Sequence, residues 1–249
     1  MPRVDKAAGT DALKAAVALL LTFAAGDVDV VGYLALYHFF VANMTGNTVH
    51  LARQLLQAHW MQAVLAGSLI AAFLIGSLAG RAIVEVGSRR GIRSVTSFAL
   101  LIEAGLIALV IVLAPQGNAA SGPAGLLLIL AAAMGLQTAT LTRVGPLTVH
   151  TTFVTGMLNK LAQLLSQGLF LTYDLRQGKQ VREARRKALQ SAAYIFSIWL
   201  VYFVGAVFGA VTESAIGLLS LLIPIALLGS AAILDRLRPL PLWEEQDEP

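Results

Sequence analysis

Cysteine is absent, which excludes disulfides, iron–sulfur clusters and thiolate zinc sites and leaves the redox compartment undetermined. Charge is scarce: Asp, Glu, Lys and Arg make up 13% of the 249 residues, where a soluble domain carries about 25%. With 18 basic and 14 acidic side chains the chain cannot cover a soluble surface of this size, whereas a lipid-facing surface needs no such cover. Catalytic signatures are missing too. There is no GxxxxGK[ST], HExxH or GxSxG, and His38, His50, His59 and His150 have no ligand spacing. Neither an enzyme nor a cofactor or metal site is expected.

What the chain does contain is apolar sequence, 57% of all residues, with a mean hydropathy of +0.74. This composition predicts an integral membrane protein. A net charge of +4 and a pI near 9.6 do not indicate nucleic acid as a partner, because the bases sit in short runs beside apolar segments. The first apolar stretch, from Leu13 past Phe40, exceeds the roughly 7–15 residues of a signal-peptide core, so it is expected to stay on.

A membrane-crossing helix takes about 20 mostly apolar residues. Six segments meet this, approximately 12–34, 61–84, 95–114, 124–141, 189–211 and 216–234. Two further stretches, 36–57 and 148–171, are apolar with regular polar residues and read as re-entrant elements, interfacial helices or parts of broken helices. The basic residues orient the chain. Arg3, Lys6 and Lys14, then Arg89, Arg90 and Arg93, then the run from Arg176 to Lys187, and finally Arg236 and Arg238 all fall on one side if there are six crossings. Both termini are then cytoplasmic, and the acidic residues of 240–249 form a tail.

The two halves echo each other. Met44-Thr45-Gly46-Asn47 before Leu51-Ala52 resembles Val154-Thr155-Gly156-Met157 before Leu161-Ala162, and Ala25-Gly26 resembles Met134-Gly135. Gly76 to Gly80 parallels Gly205 to Gly209. The expected architecture is all-α, one membrane domain of two three-helix repeats, approximately 12–114 and 122–234. A three-crossing unit repeated once is inverted the second time, and inverted repeats around interrupted helices are a transporter signature. Ser68, Ala72, Gly76 and Gly80 form a small-residue stripe, which suits packing within the bundle or between two copies as a homo-oligomer.

Polar residues inside apolar sequence mark the candidate site. Asp27 and Asp29, beside Gly26, interrupt the first segment and read as ligands for a proton or coupling ion, or as caps at a helix end. On an unbroken helix they lie on nearly opposite faces, so satisfying both requires unwinding near Gly26 or a place at the water interface. Asn43, Asn47, His50 and Gln54 share one helical face, as do Thr152, Thr155, Asn159, Gln163 and Ser166. Such neutral stripes suit a polar path or a surface-lying helix. Asn43, Thr45, Gly46, Asn47, Gln137, Thr152, Thr155, Gly156 and Asn159 are the expected contacts to a small polar solute, with Asp27 and Asp29 binding the ion. Glu103, midway along its helix, needs a proton or a partner. Arg143 and Lys160 attract an anion or mark the cytoplasmic edge.

The run Gly26 to Tyr33, then Phe40-Val41-Ala42-Asn43-Met44-Thr45-Gly46-Asn47, Gly135-Leu136-Gln137 and Thr151-Thr152-Phe153-Val154-Thr155-Gly156 resembles the YoaK-like family of bacterial inner-membrane proteins over nearly the whole chain. The resemblance implies six helices and the bacterial cell membrane, and implies no substrate. Thr138 and His150 depart from the family pattern, which has an amide after Gln137 and an arginine before the Thr-Thr pair. The functions left open are a small-solute or ion transporter or channel, and a non-transporting scaffold or sensor that docks a protein partner through Arg176–Lys187.

Overall fold

Long apolar runs whose backbone must satisfy its own hydrogen bonds become helices in a bilayer. The structure, a computed structural model, describes residues 2–92, 94–114, 122–140, 143–144, 147–148 and 154–237. Its helices are α1 (Pro2–Ala35), α2 (Met44–Leu56), α3 (Trp60–Arg89), α4 (Val95–Leu113), α5 (Pro123–Thr140), α6 (Val154–Arg176), α7 (Arg182–Ile216) and α8 (Leu222–Leu237). A 3-10 turn, Gly217–Leu221, joins the last two. Between α5 and α6, Arg143–Val144 pairs antiparallel with Leu147–Thr148.

Five stretches among the described residues are long and apolar enough to cross a membrane: Leu13–Ala35, Trp60–Arg89, Val95–Leu113, Pro123–Thr140 and Arg182–Leu237. Six separate segments were expected. The last two run together because the turn between them, Gly-Leu-Leu-Ser-Leu, is itself helical and apolar. The α-helix ends at Gly217, whose φ of 57° and ψ of −142° suit a residue without a Cβ. At 1.5 Å per residue α2 is only about 20 Å long, too short to cross roughly 30 Å of hydrocarbon.

The main helix pairs are α1 with α7, α3 with α5, α2 with α3, α6 with α7, α4 with α8, α4 with α5 and α1 with α8. Exchanging α1 with α5, α2 with α6, α3 with α7 and α4 with α8 turns this set of pairs into itself. Glycines explain the two closest crossings. A Cβ on Gly26 would collide with the carbonyl of Tyr202, and one on Gly135, 109 residues along from 26, with the carbonyl of Phe73. In the other direction Gly205 lies against the Phe23 carbonyl, and Gly76, 129 residues before 205, against that of Ala132. Gly209 on Asp27 and Gly80 on Leu136 repeat the same spacing. Backbone therefore packs on backbone at both crossings, the mode available where lipid supplies no hydrophobic drive. Gly76 and Gly80 of the small-residue stripe are used within the chain.

The core among the described residues is apolar and continuous, with Leu21, Leu100, Ile107, Leu127, Leu130, Met134 and Leu228 at 1% exposure or less. Where α4 begins, its orphan amides meet a carboxylate from α8. Asp235 Oδ2 accepts from the Ser97 backbone at 2.8 Å and lies 2.6 Å from the Ser97 hydroxyl. This caps the helix from across the interface.

Candidate functional site

α1 runs unbroken through Gly26, so the unwinding considered for that point does not occur. Gly26 serves the close approach of α7 instead. The two neighbouring carboxylates consequently take opposite flanks of α1 and meet different surroundings.

The chain leaves α1 through Tyr37 and His38, with φ of 54° and 57°, left-handed conformations that cost non-glycine residues about 1–3 kcal/mol each. Two side chains hold this reversal. Asp29 Oδ1 accepts from the amides of Val41 and Ala42, both at 2.9 Å. Asn47, fully buried in α2, grips the Phe40 backbone, its Nδ2 donating to the carbonyl at 2.6 Å and its Oδ1 accepting from the amide at 3.2 Å. The chain then enters α2 at Asn43, whose Oδ1 accepts from the Gly46 amide at 3.1 Å, a side-chain cap of the first turn.

Beside this reversal lies a cavity of about 550 Å³. Asp29 reaches it from α1, 6% exposed, with Oδ2 accepting from the Tyr202 hydroxyl at 2.7 Å. Asn43, Met44 and Thr45 line it from the start of α2, and Val154 and Thr155 from the start of α6. Phe40 and Ala42, then Phe73 of α3, Thr138 of α5 and Tyr202 of α7 complete the wall. The N-termini of α2 and α6 thus open into one volume, bringing partial positive charge to it. Aromatic and aliphatic groups form the rest of the lining, with hydroxyls at Thr45, Thr138 and Thr155. Such a lining holds a small molecule with an apolar body and a few hydrogen-bonding groups.

Of the expected site residues, Asp29, Asn43, Thr45 and Thr155 meet at this cavity. Gly46 and Asn47 act one step back, by capping α2 and clamping Phe40. Gln137 faces away, its Nε2 donating to the Leu21 carbonyl at 2.7 Å and so tying α5 to α1. Gly156 is half-buried in the first turn of α6. Asn159 lies on the outer face of α6 with Gln163 and Ser166, while Met157, Leu164 and Gly168 turn inward; that stripe forms no seam beyond Thr155. Asp27 is fully buried away from the cavity and has no hydrogen-bond partner among the described residues. Thr152 lies outside the described residues, as do Arg93, His150 and the tail 240–249.

The lining groups Phe40, Ala42, Met44, Phe73, Thr138, Val154 and Tyr202 were not among the expected site residues. A signal existed for two of them. Phe73 and Tyr202 stand 129 residues apart, the spacing of Gly76 and Gly205. No cluster of three or more His, Asp or Glu residues able to hold a metal occurs among the described residues.

Residues 17–234 match the family described as a protein of unknown function, DUF1275. The chain is 31% identical over 212 residues to the UPF0700 transmembrane protein YoaK of Bacillus subtilis (strain 168), covering 84% of this chain and 88% of that protein. No solved structure matches the chain.

Proposed function

The chain is a membrane protein of the DUF1275 family, and we propose that it transports a small solute, apolar in body with a few hydrogen-bonding groups, through the cavity beside Asp29. One observation carries the reading: the cavity is lined at corresponding positions of the two halves. Asp29 and Thr138 are 109 residues apart, the spacing of Gly26 and Gly135; Phe73 and Tyr202 are 129 apart, and Met44 and Thr45 stand 110 before Val154 and Thr155. In this reading the halves are inverted repeats with six crossings, α7 and α8 counting separately, and the cavity sits on the axis relating them. Solute sites at a repeat interface, between short helix ends, are the general arrangement of such transporters.

Asp29 is the central residue in this scheme. By holding Val41, Ala42 and Tyr202 at once it joins α1, the reversal before α2, and α7, so a solute that competes for its hydrogen bonds loosens all three. Thr45 and Thr155 supply hydroxyls from opposite walls. The protein resides in the bacterial cell membrane with both termini cytoplasmic, as the basic loops favour.

Flux of ions and small metabolites into proteoliposomes tests the function. At least one solute is expected to enter, with a Thr45→Ala, Thr155→Ala double variant slowed about tenfold, the effect of about 1.4 kcal/mol lost at the site. No flux across a broad panel, or flux indifferent to both threonines and to Asp29→Asn, overturns the assignment. Topology is tested separately, since single cysteines can be introduced into a cysteine-free background. A cysteine at Ser214 should react from outside and one at Ser88 or Gln180 only from within.

A further inference from the structure

Most buried polar side chains of this protein have an evident occupation. Asp29 and Asp235 bind amides and hydroxyls, Asn47 clamps a backbone, and Thr22 and Thr140 donate to carbonyls of their own helices. Two carboxyls do not follow this rule. Asp27 on α1 and Glu103 on α4 are both 0% exposed, and none of their four carboxyl oxygens has a hydrogen-bond partner among the described residues. Neither lines the cavity, and neither appears in an ion pair among the described residues, where the pairs are Glu85–Arg89, Asp174–Lys179 and Glu183–Lys187.

The surroundings hold few groups that could neutralise them. α1 packs on α5 and the 3-10 turn, which carry no ionisable side chain; on α7, with Arg182, Glu183, Arg185, Arg186 and Lys187 at its start, Tyr194 and Tyr202 in its middle and Glu213 near its end; and on α8, with Asp235 and Arg236 in its last turn. On α1 itself Lys14, Asp29 and Tyr33 are the other ionisable groups from Leu13 onward. Arg143 stands in the short ladder beside α1, its side chain outside the described residues. α4 packs on α5, the 3-10 turn, α8 and α3, the last with Arg81, Glu85 and Arg89 toward its C-terminal end. On its own helix Glu103 is flanked by Leu100, Ala104 and Ile107, all buried.

A carboxyl deep in a membrane helix costs roughly 2.5–3.5 kcal/mol on insertion scales and is by default functional. Leucine would fill either place without that cost. We infer that Asp27 and Glu103 are proton-carrying sites, distinct from the solute cavity, that take up and release a proton during transport. A metal cation fits them poorly, since calcium takes 6–8 oxygen ligands and magnesium a full octahedron, and no carboxylate or histidine cluster surrounds either group among the described residues. A proton needs only the single carboxyl. In the exchange the carboxyl O–H bond breaks, its electron pair stays on oxygen, and water carries the proton to or from the bulk phase.

The link to solute rests on the transport reading above. Asp27 and Asp29 share one turn of α1, so the proton site and the cavity act on the same helix. That helix bears on α7 at Gly26 and Gly209 and through the hydrogen bond between Asp29 and Tyr202, so a shift of α1 is felt at the cavity. Occupancy at Asp27 therefore biases the cavity through the position of α1, while Glu103 lies on α4, which packs on the same α5, α8 and 3-10 turn as α1.

Infrared difference spectra of the protein in lipid nanodiscs, recorded across steps of pH, read protonated carboxyls directly and need no solute. Two carbonyl bands of protonated acids that respond to pH are expected, one lost in Asp27→Asn and the other in Glu103→Gln. Isotopic labelling of wild-type carboxyl carbons, in aspartate or in glutamate alone, should shift one band each, which removes any dependence on the variants folding. Absence of both bands at every pH, or bands that never respond to pH, overturns the proposal. Because no flux is measured, this failure is separate from failure of the transport reading. If a transported solute is found and its uptake is indifferent to an imposed proton gradient, the coupling through α1 is wrong even with both bands present.

Discussion

The α1–α7 crossing and the α3–α5 crossing use glycines at matching positions, yet different chemistry lies beside them. At the first, Asp29 accepts from Tyr202 and from two amides of the reversal before α2. At the second, the matching residues are Thr138 and Phe73, and Thr138 turns its hydroxyl back to the carbonyl of Met134 at 2.8 Å. Ser77 donates to the Gly135 carbonyl at 3.1 Å, while its match, Ala206, has no hydroxyl to offer Gly26. Backbone geometry and polar chemistry are thus separable in this protein. Close packing demands glycine in both halves, whereas only one half places a carboxylate at the cavity.

The strongest test of equivalence is Gly26→Val against Gly135→Val. Each new side chain meets backbone, which cannot swing away as a flexible side chain can. Both should lose about 3 kcal/mol or more, the upper end of overpacking costs, read as a fall in unfolding midpoint in detergent. Tolerance of one and not the other would break the equivalence of the crossings.

Next in size is the chemical difference. Asp29→Ala leaves two amides and a hydroxyl without their acceptor and should cost about 2–3 kcal/mol, while Thr138→Ala should cost about 1 kcal/mol. Equal losses would show that the carboxylate is no more structural than its counterpart. Smaller again is Tyr202→Phe, which removes one hydrogen bond to a carboxylate and should cost about 1.5 kcal/mol, with Phe73→Ile costing about the same through lost packing alone. A double Asp29→Asn, Tyr202→Phe variant that is no worse than Asp29→Asn would confirm that the hydroxyl acts through Asp29. The smallest effect expected is at the α4–α8 contact, remote from both crossings. Ser97→Ala, which keeps the backbone bond to Asp235, should cost about 1 kcal/mol and leave solute flux unchanged.

Legibility from sequence divides along the same line. Helix positions were readable because an apolar run of sufficient length has few alternatives in lipid, and the glycine spacings pointed to paired elements before any contact was known. The Thr45 and Thr155 pair was legible for the same reason. Asn159 was not, since a polar stripe at helical spacing marks one face without saying whether that face turns inward; on α6 the inward face belongs to Met157, Leu164 and Gly168. The sequence also separated 189–211 from 216–234 at Thr212, Glu213 and Ser214, and there α7 and α8 are joined by the apolar helical turn Gly217–Leu221.

Local composition and periodicity along the chain determined that this is a helical membrane protein, where its apolar runs lie, and that its halves share small-residue spacings, because burial in lipid acts on each segment largely by itself. Which carboxylate is satisfied and which is bare was decided only by tertiary structure. Asp27 and Asp29 are two residues apart and chemically identical, and what separates them is 200° of rotation around α1. That rotation sets Asp29 against the Tyr202 hydroxyl and the Val41 and Ala42 amides and turns Asp27 toward neighbours that offer no donor among the described residues. Hydrogen bonds across 12, 13 and 173 positions of sequence have no local signature, so they exist only once the helices are packed.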